Sequence, residues 1–435
     1  MLFVFVTPSI YLMASLLVVV GVVCLGSSFV LLNSFLPLLA WNHPSVTTHA
    51  AVSLHDMDDE DDAPINGGLN TTNATSLEVP KPFTDANTSA LTLSTKISSK
   101  GVGIGYAAAV FVQILSIGIL FGLSKVHFSS QTVPLRVILF LVGAWWACFI
   151  VPCALWLRDR PGSPLEASAS PSGRWRRLRQ IFAYVAFAWS SVWRTILVAV
   201  KLRQTVIFLV AWFLLSDAIA TVSGTAILFA RTELKMGTVP IAILSITVTT
   251  CGIAGAFLWP IISRRFGLTT QRTIVACVIL LEVIPLYGLV GYLPFIQAWG
   301  VGGLQQPWEI YPLGVVFGMA MGCLSSYCRS FYGLLIPPGS EAAFYALYAI
   351  TDKGSSAVGP TLVGIIVDKA GTIRPAFAFL AILIALPIPL ILLIDVEKGR
   401  AEAVQMAEKT GTHGYEAARV SESDDEDNQG LLSGS

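Results

Sequence analysis

Several ionisable side chains lie inside long apolar stretches of this sequence: Asp217, Arg329, Asp352 and Lys353. A charge at membrane depth is costly, and such residues usually face a water-filled cavity or a partner on another helix. A carboxylate can accept hydrogen bonds from an ammonium group, and a Lys or Arg can donate them to a carboxylate. All four residues are therefore candidates for contact with a small solute that crosses the membrane.

Asp217 is the first candidate for a solute pathway because it lies deep in its apolar stretch. The helical path from Thr205 to Asp217 is about 18 Å, which predicts a position near the middle of the membrane. Arg329 lies close to the end of its stretch, where a long side chain can extend to the interface. Asp352 and Lys353 are adjacent and point about 100° apart on a helix, so at least one should reach another helix or a water-filled pathway.

Uncharged polar residues accompany these charges. Asn33 and Thr221, together with Ser216 and Ser223, could form hydrogen bonds along the same pathway. Small polar residues also mediate helix packing in membranes, so a structural role stays open for each of them. Glu282 lies in a stretch expected at the periphery and is predicted to be structural.

The sequence lacks the patterns of several other protein classes. It contains no G-x-x-x-x-G-K-[ST] loop and no H-E-x-x-H helix, and its seven cysteines show no C-x-x-C spacing. A net charge of +0 provides no basic face for nucleic acid. No nucleophile or pair of catalytic aspartates stands out within the apolar stretches, so we predict neither an enzyme nor a resident cofactor.

Composition indicates which elements position these residues. Hydrophobic residues make up 54% of the chain and charged ones 12%, with a mean hydropathy of +0.71, which is typical of membrane proteins. Crossing the hydrocarbon layer takes about 20 apolar residues. The apolar stretches predict an all-α, polytopic membrane protein with about nine spans, at 11–39, 103–123, 135–157, 205–230, 239–262, 273–293, 313–336, 341–368 and 375–395.

The connections divide the chain into four regions. Residues 1–157 would form an N-terminal helical half, interrupted at 41–100 by an acidic, polar loop predicted to be disordered. Residues 158–203 would form a linker and a basic helix lying on the membrane surface. Residues 204–395 would supply six spans, and 396–435 an acidic tail.

The distribution of Lys and Arg predicts which loops face the cytosol. With 158–203 on the cytosolic side, most of the 27 Lys and Arg residues fall on that side, as the positive-inside rule requires. Two predicted spans separate 41–100 from 158–203, and six separate 158–203 from 396–435. All three segments are therefore predicted to be cytosolic, and the N-x-[ST] sequons of 41–100 to be unglycosylated.

A short repeat indicates how the spans are arranged. ISSKG at 97–101 recurs as ITDKG at 350–354, and each is followed by a glycine, Gly105 and Gly359. A separation of six predicted spans is typical of the two parallel halves of major facilitator transporters. On this register the chain has three plus six helices, and its N-terminal half is incomplete. We therefore expect about three further spans to be encoded upstream of Met1, and weak transport or none by the 435-residue form alone.

Four segments carry a resemblance to a known family: GSSFVLLNSFLPLL (26–39), ISSKGVGIGY (97–106), FLVAWFLLSDAIATV (208–222) and PPGSEAAFYALYAITDKGSSAVGP (337–360). They resemble the autophagy-related protein 22 family, fungal vacuolar permeases of the major facilitator superfamily. The similarity runs from about residue 9 to residue 400. Two features depart from the family: Ala218 replaces a glycine that usually follows the aspartate, and only nine residues precede the helix that contains Asn33.

The resemblance implies release of leucine and other neutral amino acids from the vacuole after autophagic degradation, by a multi-pass protein of the vacuole membrane. Efflux down a gradient would need no ion, whereas protonation of Asp217 from an acidic lumen could couple transport to protons. Two other interpretations stay open. One is transport of a different small solute, and the other is a membrane receptor or scaffold that does not transport.

The C-terminal tail carries a candidate sorting signal. Asp427, Leu431 and Leu432 have the spacing of an acidic dileucine motif, which a sorting adaptor would read. Short motifs of this kind also arise by chance in polar tails, so a solvated terminus is the alternative.

Overall fold

The computed structural model describes residues 11–44, 81–124, 133–156 and 174–409, and every regular element within these ranges is a helix. Eight of the helices are long and apolar enough to cross a membrane, or nine if a bent pair near the end counts as one span. The predicted all-α, polytopic membrane protein is therefore confirmed.

The α-helices are numbered in chain order. Those before Leu202 are α1 (Tyr11–Trp41), α2 (Lys81–Ser124), α3 (Val133–Trp156) and α4 (Arg174–Lys201). Those of the middle region are α5 (Arg203–Thr232), α6 (Thr238–Arg265), α7 (Thr270–Val290), α8 (Pro294–Trp299) and α9 (Ile310–Leu334). The last are α10 (Glu341–Ser355), α11 (Val358–Ala370), α12 (Ala376–Ala385), α13 (Pro387–Leu392) and α14 (Val396–Lys409).

Two helices, α5 and α9, organise the packing of the bundle. Helix α5 contacts α4 and α10 to α13, whereas α9 contacts α2, α6 and α7. Glycines allow α6 and α9 to approach closely, because a Cβ atom on Gly318 or Gly322 would overlap the backbone carbonyls of Val248 and Gly252. Small residues at such contacts let van der Waals packing replace the hydrophobic effect, which does not drive helix association in lipid.

Part of the segment predicted to be a disordered loop is helical. Helix α2 begins at Lys81, so residues 81–100 continue the span rather than belonging to a loop. Its polar face is held by tertiary contacts: the Ser98 hydroxyl donates to the carbonyl oxygen of Ser326 in α9, over 3.1 Å. Tertiary packing here overrides the loop-like composition of the segment.

The segment 158–203, predicted to be a linker with a helix on the membrane surface, contains a helix that is long and apolar enough to cross a membrane. Residues 182–201 of α4 form one of the eight helices that could cross a membrane, and they were absent from the nine predicted spans. Large apolar side chains of α4, including Phe182 and Trp189, are exposed, as expected for a helix in contact with lipid on the surface or across the bilayer.

The predicted span 341–368 is broken into α10 and α11. These helices have 15 and 13 residues, about 22 and 20 Å, and neither alone crosses about 30 Å of hydrocarbon. The hydroxyls of Ser355 and Ser356 donate to the carbonyls of Asp352 and Lys353, which weakens the helical ladder. Pro360 has no N–H to continue it. The break therefore has a local chemical cause.

The predicted span 375–395 is divided as well. Helices α12 and α13 meet at Leu386, beside Pro387, and α14 then turns away by 70°. A proline removes one backbone hydrogen bond and favours such bends.

Candidate functional site

Two neighbouring side chains of α5 hold the two sides of the break between α10 and α11. The Ser216 hydroxyl donates to Asp352 Oδ1 over 2.6 Å, before the break. Asp217 Oδ1 accepts a hydrogen bond from the backbone N–H of Gly359 over 2.9 Å, after the break. Ser216 and Asp217 of α5 thus contact both pieces of the broken helix, at the motifs TDKG and VGP. These contacts fix the relative position of α10 and α11.

Asp217 lies at the N-terminus of α11, where unpaired N–H groups and the helix dipole favour a negative charge. Asp217 is 3% exposed, and the neighbouring Thr221 is fully buried. The Thr221 hydroxyl donates to the carbonyl oxygen of Asp217 over 2.6 Å. Asp217 and Thr221, both candidates from sequence, therefore share one site with Gly359.

Only a glycine fits between Asp217 and Thr221. A Cβ atom on Gly359 would overlap Thr221 Oγ1 and lie 3.0 Å from both carboxylate oxygens of Asp217. The absence of a side chain lets the N-terminus of α11 approach the carboxylate directly.

Asp352 and Lys353 pair with each other although they point about 100° apart on the helix. Lys353 Nζ lies 2.8 Å from Asp352 Oδ2, because the flexible lysine side chain folds back along the helix. The lysine side chain is 81% exposed and that of Asp352 is 25% exposed. Asp352 also reaches another helix, as expected for at least one of the pair, through its bond with Ser216.

Arg329 and Asn33 are brought together from distant parts of the chain. Arg329 Nη1 donates to Asn33 Oδ1 over 2.8 Å, and Nη2 donates to the carbonyl oxygen of Ser325 over 3.0 Å. The Tyr345 hydroxyl donates to the carbonyl oxygen of Arg329 over 3.0 Å. The guanidinium therefore points back along α9 and links it to α1, instead of extending to the end of its helix. Asn33 supplies the acceptor that makes this position favourable.

An aromatic cluster lies between the Arg329 and Asp217 groups, and the sequence interpretation did not single it out. It consists of Trp212 of α5, Tyr332 of α9, and Tyr345 and Tyr348 of α10. Tyr348 stacks on Trp212 and on Tyr332, with ring centroids 4.7 and 5.2 Å apart. Tyr332 meets Tyr345 edge-on at 5.6 Å. The three-residue spacing of the two tyrosines on α10 is the signal that could have revealed a shared face.

Comparisons with known proteins place this arrangement in a family. Residues 1–404 match the family described as "Vacuole effluxer Atg22 like". The chain belongs to that family. It is 57% identical to Autophagy-related protein 22-1 of Sclerotinia sclerotiorum, over 99% of this chain and 73% of that protein. It is 58% identical to Autophagy-related protein 22 of Botryotinia fuckeliana, over 96% of this chain and 70% of that protein.

A third relative extends the comparison to another genus. Autophagy-related protein 22-2 of Aspergillus niger is 55% identical over 99% of this chain and 73% of its own length. These matches confirm the resemblance that was carried by four segments of the sequence. As a member of the Atg22-like family, the protein is a multi-pass membrane transporter of the vacuolar effluxer type with a role in autophagy, and its substrate is a small molecule.

Two sequence predictions lie outside the described residues. The sorting-signal residues Asp427, Leu431 and Leu432 follow Lys409, where the description ends, and the acidic run of the 41–100 segment falls within 45–80. Binding of a sorting adaptor to the tail stays a prediction.

Proposed function

We propose that this protein releases neutral amino acids such as leucine from the vacuole to the cytosol after autophagic degradation, through a pathway centred on Asp217. The observation that supports this most strongly is the buried Asp217 carboxylate at the break between α10 and α11. Discontinuous helices whose ends meet ionisable groups are the usual construction of substrate sites in secondary transporters.

The chemistry of a neutral amino acid fits the two polar groups of the site. Its ammonium would replace the Gly359 N–H as the partner of Asp217, and its carboxylate would bind Arg329, whose guanidinium has five donors, two of them used by Asn33 and Ser325. Lys353 is the alternative donor, but it is exposed and already paired with Asp352.

The aromatic cluster would receive the apolar side chain of the substrate. Trp212, Tyr332, Tyr345 and Tyr348 are packed together in this conformation, so binding needs α10 to move relative to α5. The break after Ser355 provides a hinge for that movement. Transport would then alternate between a state in which Asp217 caps α11 and a state in which it binds the ammonium.

Leucine efflux from vesicles that contain the product of the complete gene tests the proposal, with vesicles that contain only the 435-residue chain measured beside them. Preloaded labelled leucine should leave in a saturable manner, and an excess of unlabelled leucine should compete. The measurement is repeated with and without a pH gradient that makes the inside of the vesicles acidic. Efflux that depends on this gradient is coupled to protons, and efflux that does not depend on it is facilitated diffusion. Efflux by the product of the complete gene that equals efflux from protein-free vesicles would contradict the proposal.

The orientation of the chain is a second testable prediction. The Lys and Arg distribution predicts that segments 45–80, 158–173 and 410–435 all face the cytosol. Protease added to sealed vacuoles should therefore cut tags placed in each of them. Because six predicted spans follow α4, protection of the 410–435 tag alone would show that α4 crosses the membrane. Protection of a tag near Asn73, or a sugar on it, would contradict the orientation.

A further inference from the structure

A large cavity with several charged side chains in its lining lies at one end of the bundle, away from Asp217. Its volume is about 580 Å³, within the range of about 300 to 1,000 Å³ that is typical of sites for small ligands. It is enclosed by α2, α6, the start of α7, α9 and α14. This is the end that the Lys and Arg distribution assigns to the cytosol.

Cations from three different helices line this cavity: Lys96 of α2, Arg264 of α6 and Arg400 of α14. Glu397 is the carboxylate among the lining residues, so positive charge is in excess. Arg400 is only 7% exposed, and a buried guanidinium is stable only with anions around it. Glu341 contributes a favourable electrostatic interaction to Arg400 from outside the cavity lining.

We propose that this cavity binds a phosphate group, either of free phosphate or of an anionic lipid headgroup. A phosphate carries more than one negative charge and several acceptor oxygens, so Lys96, Arg264 and Arg400, which line the cavity from three helices, can bind it together. A zwitterionic amino acid would leave the excess positive charge uncompensated. The cavity also lies at the depth of headgroups, because Arg264 is in the last turn of α6 and Lys96 precedes the most apolar part of α2.

The test measures ligand-induced thermal stabilisation of the full chain purified in detergent. One series is titrated with inorganic phosphate, and the other with phosphatidylinositol phosphate against phosphatidylcholine. The wild-type Tm should rise in a saturable manner. Stabilisation by both phosphate ligands identifies a site for free anions, and stabilisation by the lipid alone identifies a headgroup site. No saturable rise with either ligand overturns the proposal.

Paired variants separate this cavity from general surface charge. The double variant Lys96→Gln, Arg264→Gln should weaken binding by at least about tenfold, since each cation loses a charge-assisted hydrogen bond. The matched control is Lys100→Gln, Arg265→Gln, which removes two exposed charges from the same helices outside the lining. The control should bind as the wild type does. Equal weakening by both double variants overturns the proposal.

Discussion

The Asp217→Asn variant is expected to reduce leucine efflux by at least about tenfold, which corresponds to about 1.4 kcal/mol of lost interaction. Asparagine keeps the size of the side chain, and its oxygen can still accept the hydrogen bond from the Gly359 N–H. The cap of α11 is therefore preserved, whereas the negative charge that would bind the substrate ammonium is removed. The measurement is the initial rate of efflux from vesicles with equal amounts of protein.

Two further variants distinguish substrate binding from helix capping. Asp217→Ala removes both the charge and the cap, so it should lower the Tm as well as the efflux rate. The lost cap should lower the free energy of unfolding by about 1 kcal/mol. Asp368→Asn removes one exposed carboxylate from α11 and should leave both unchanged. An Asp217→Asn variant with normal membrane content and wild-type efflux would contradict the proposed role of the charge.

Hydropathy predicted α5 and α9 closely because their sequences are apolar along most of their length, but it missed the polar start of α2 and the span candidate in α4. The predicted spans 205–230 and 313–336 correspond to α5 and α9, at Arg203–Thr232 and Ile310–Leu334. The same measure did not detect the break after Ser355. Hydropathy reports transfer into lipid, whereas the break depends on serine hydroxyls and on a proline that interrupt backbone hydrogen bonding.

The candidate site was predicted as a set of residues but not as an arrangement. A charge inside an apolar stretch is visible in one sequence, which is why Asp217 and Arg329 were found. The partner of each charge depends on packing between distant segments: Asn33 and Arg329 are separated by 296 positions, and Asp217 and Gly359 by 142. Such pairs appear only once the helices are positioned in three dimensions.

The α10 to α11 break leads to the second large expected effect, on Gly359. The Gly359→Ala variant should abolish most leucine efflux and lower the free energy of unfolding by about 1 to 3 kcal/mol, because the added methyl group overpacks the contact. Its Cβ atom would overlap Thr221 Oγ1 and crowd both carboxylate oxygens of Asp217. The N-terminus of α11 would then have to move away from the carboxylate that caps it. Efflux and Tm are the measurements.

Gly364 provides a matched control for the Gly359→Ala variant because it lies in α11 with nothing within 4 Å of an added Cβ. The Gly364→Ala variant should keep wild-type efflux and a Tm that is equal or slightly higher, since alanine favours helix by about 1 kcal/mol. Adding Thr221→Ala to Gly359→Ala removes the overlapping hydroxyl and should restore part of the stability. If Gly359→Ala behaves like Gly364→Ala, direct contact between α11 and Asp217 does not govern transport.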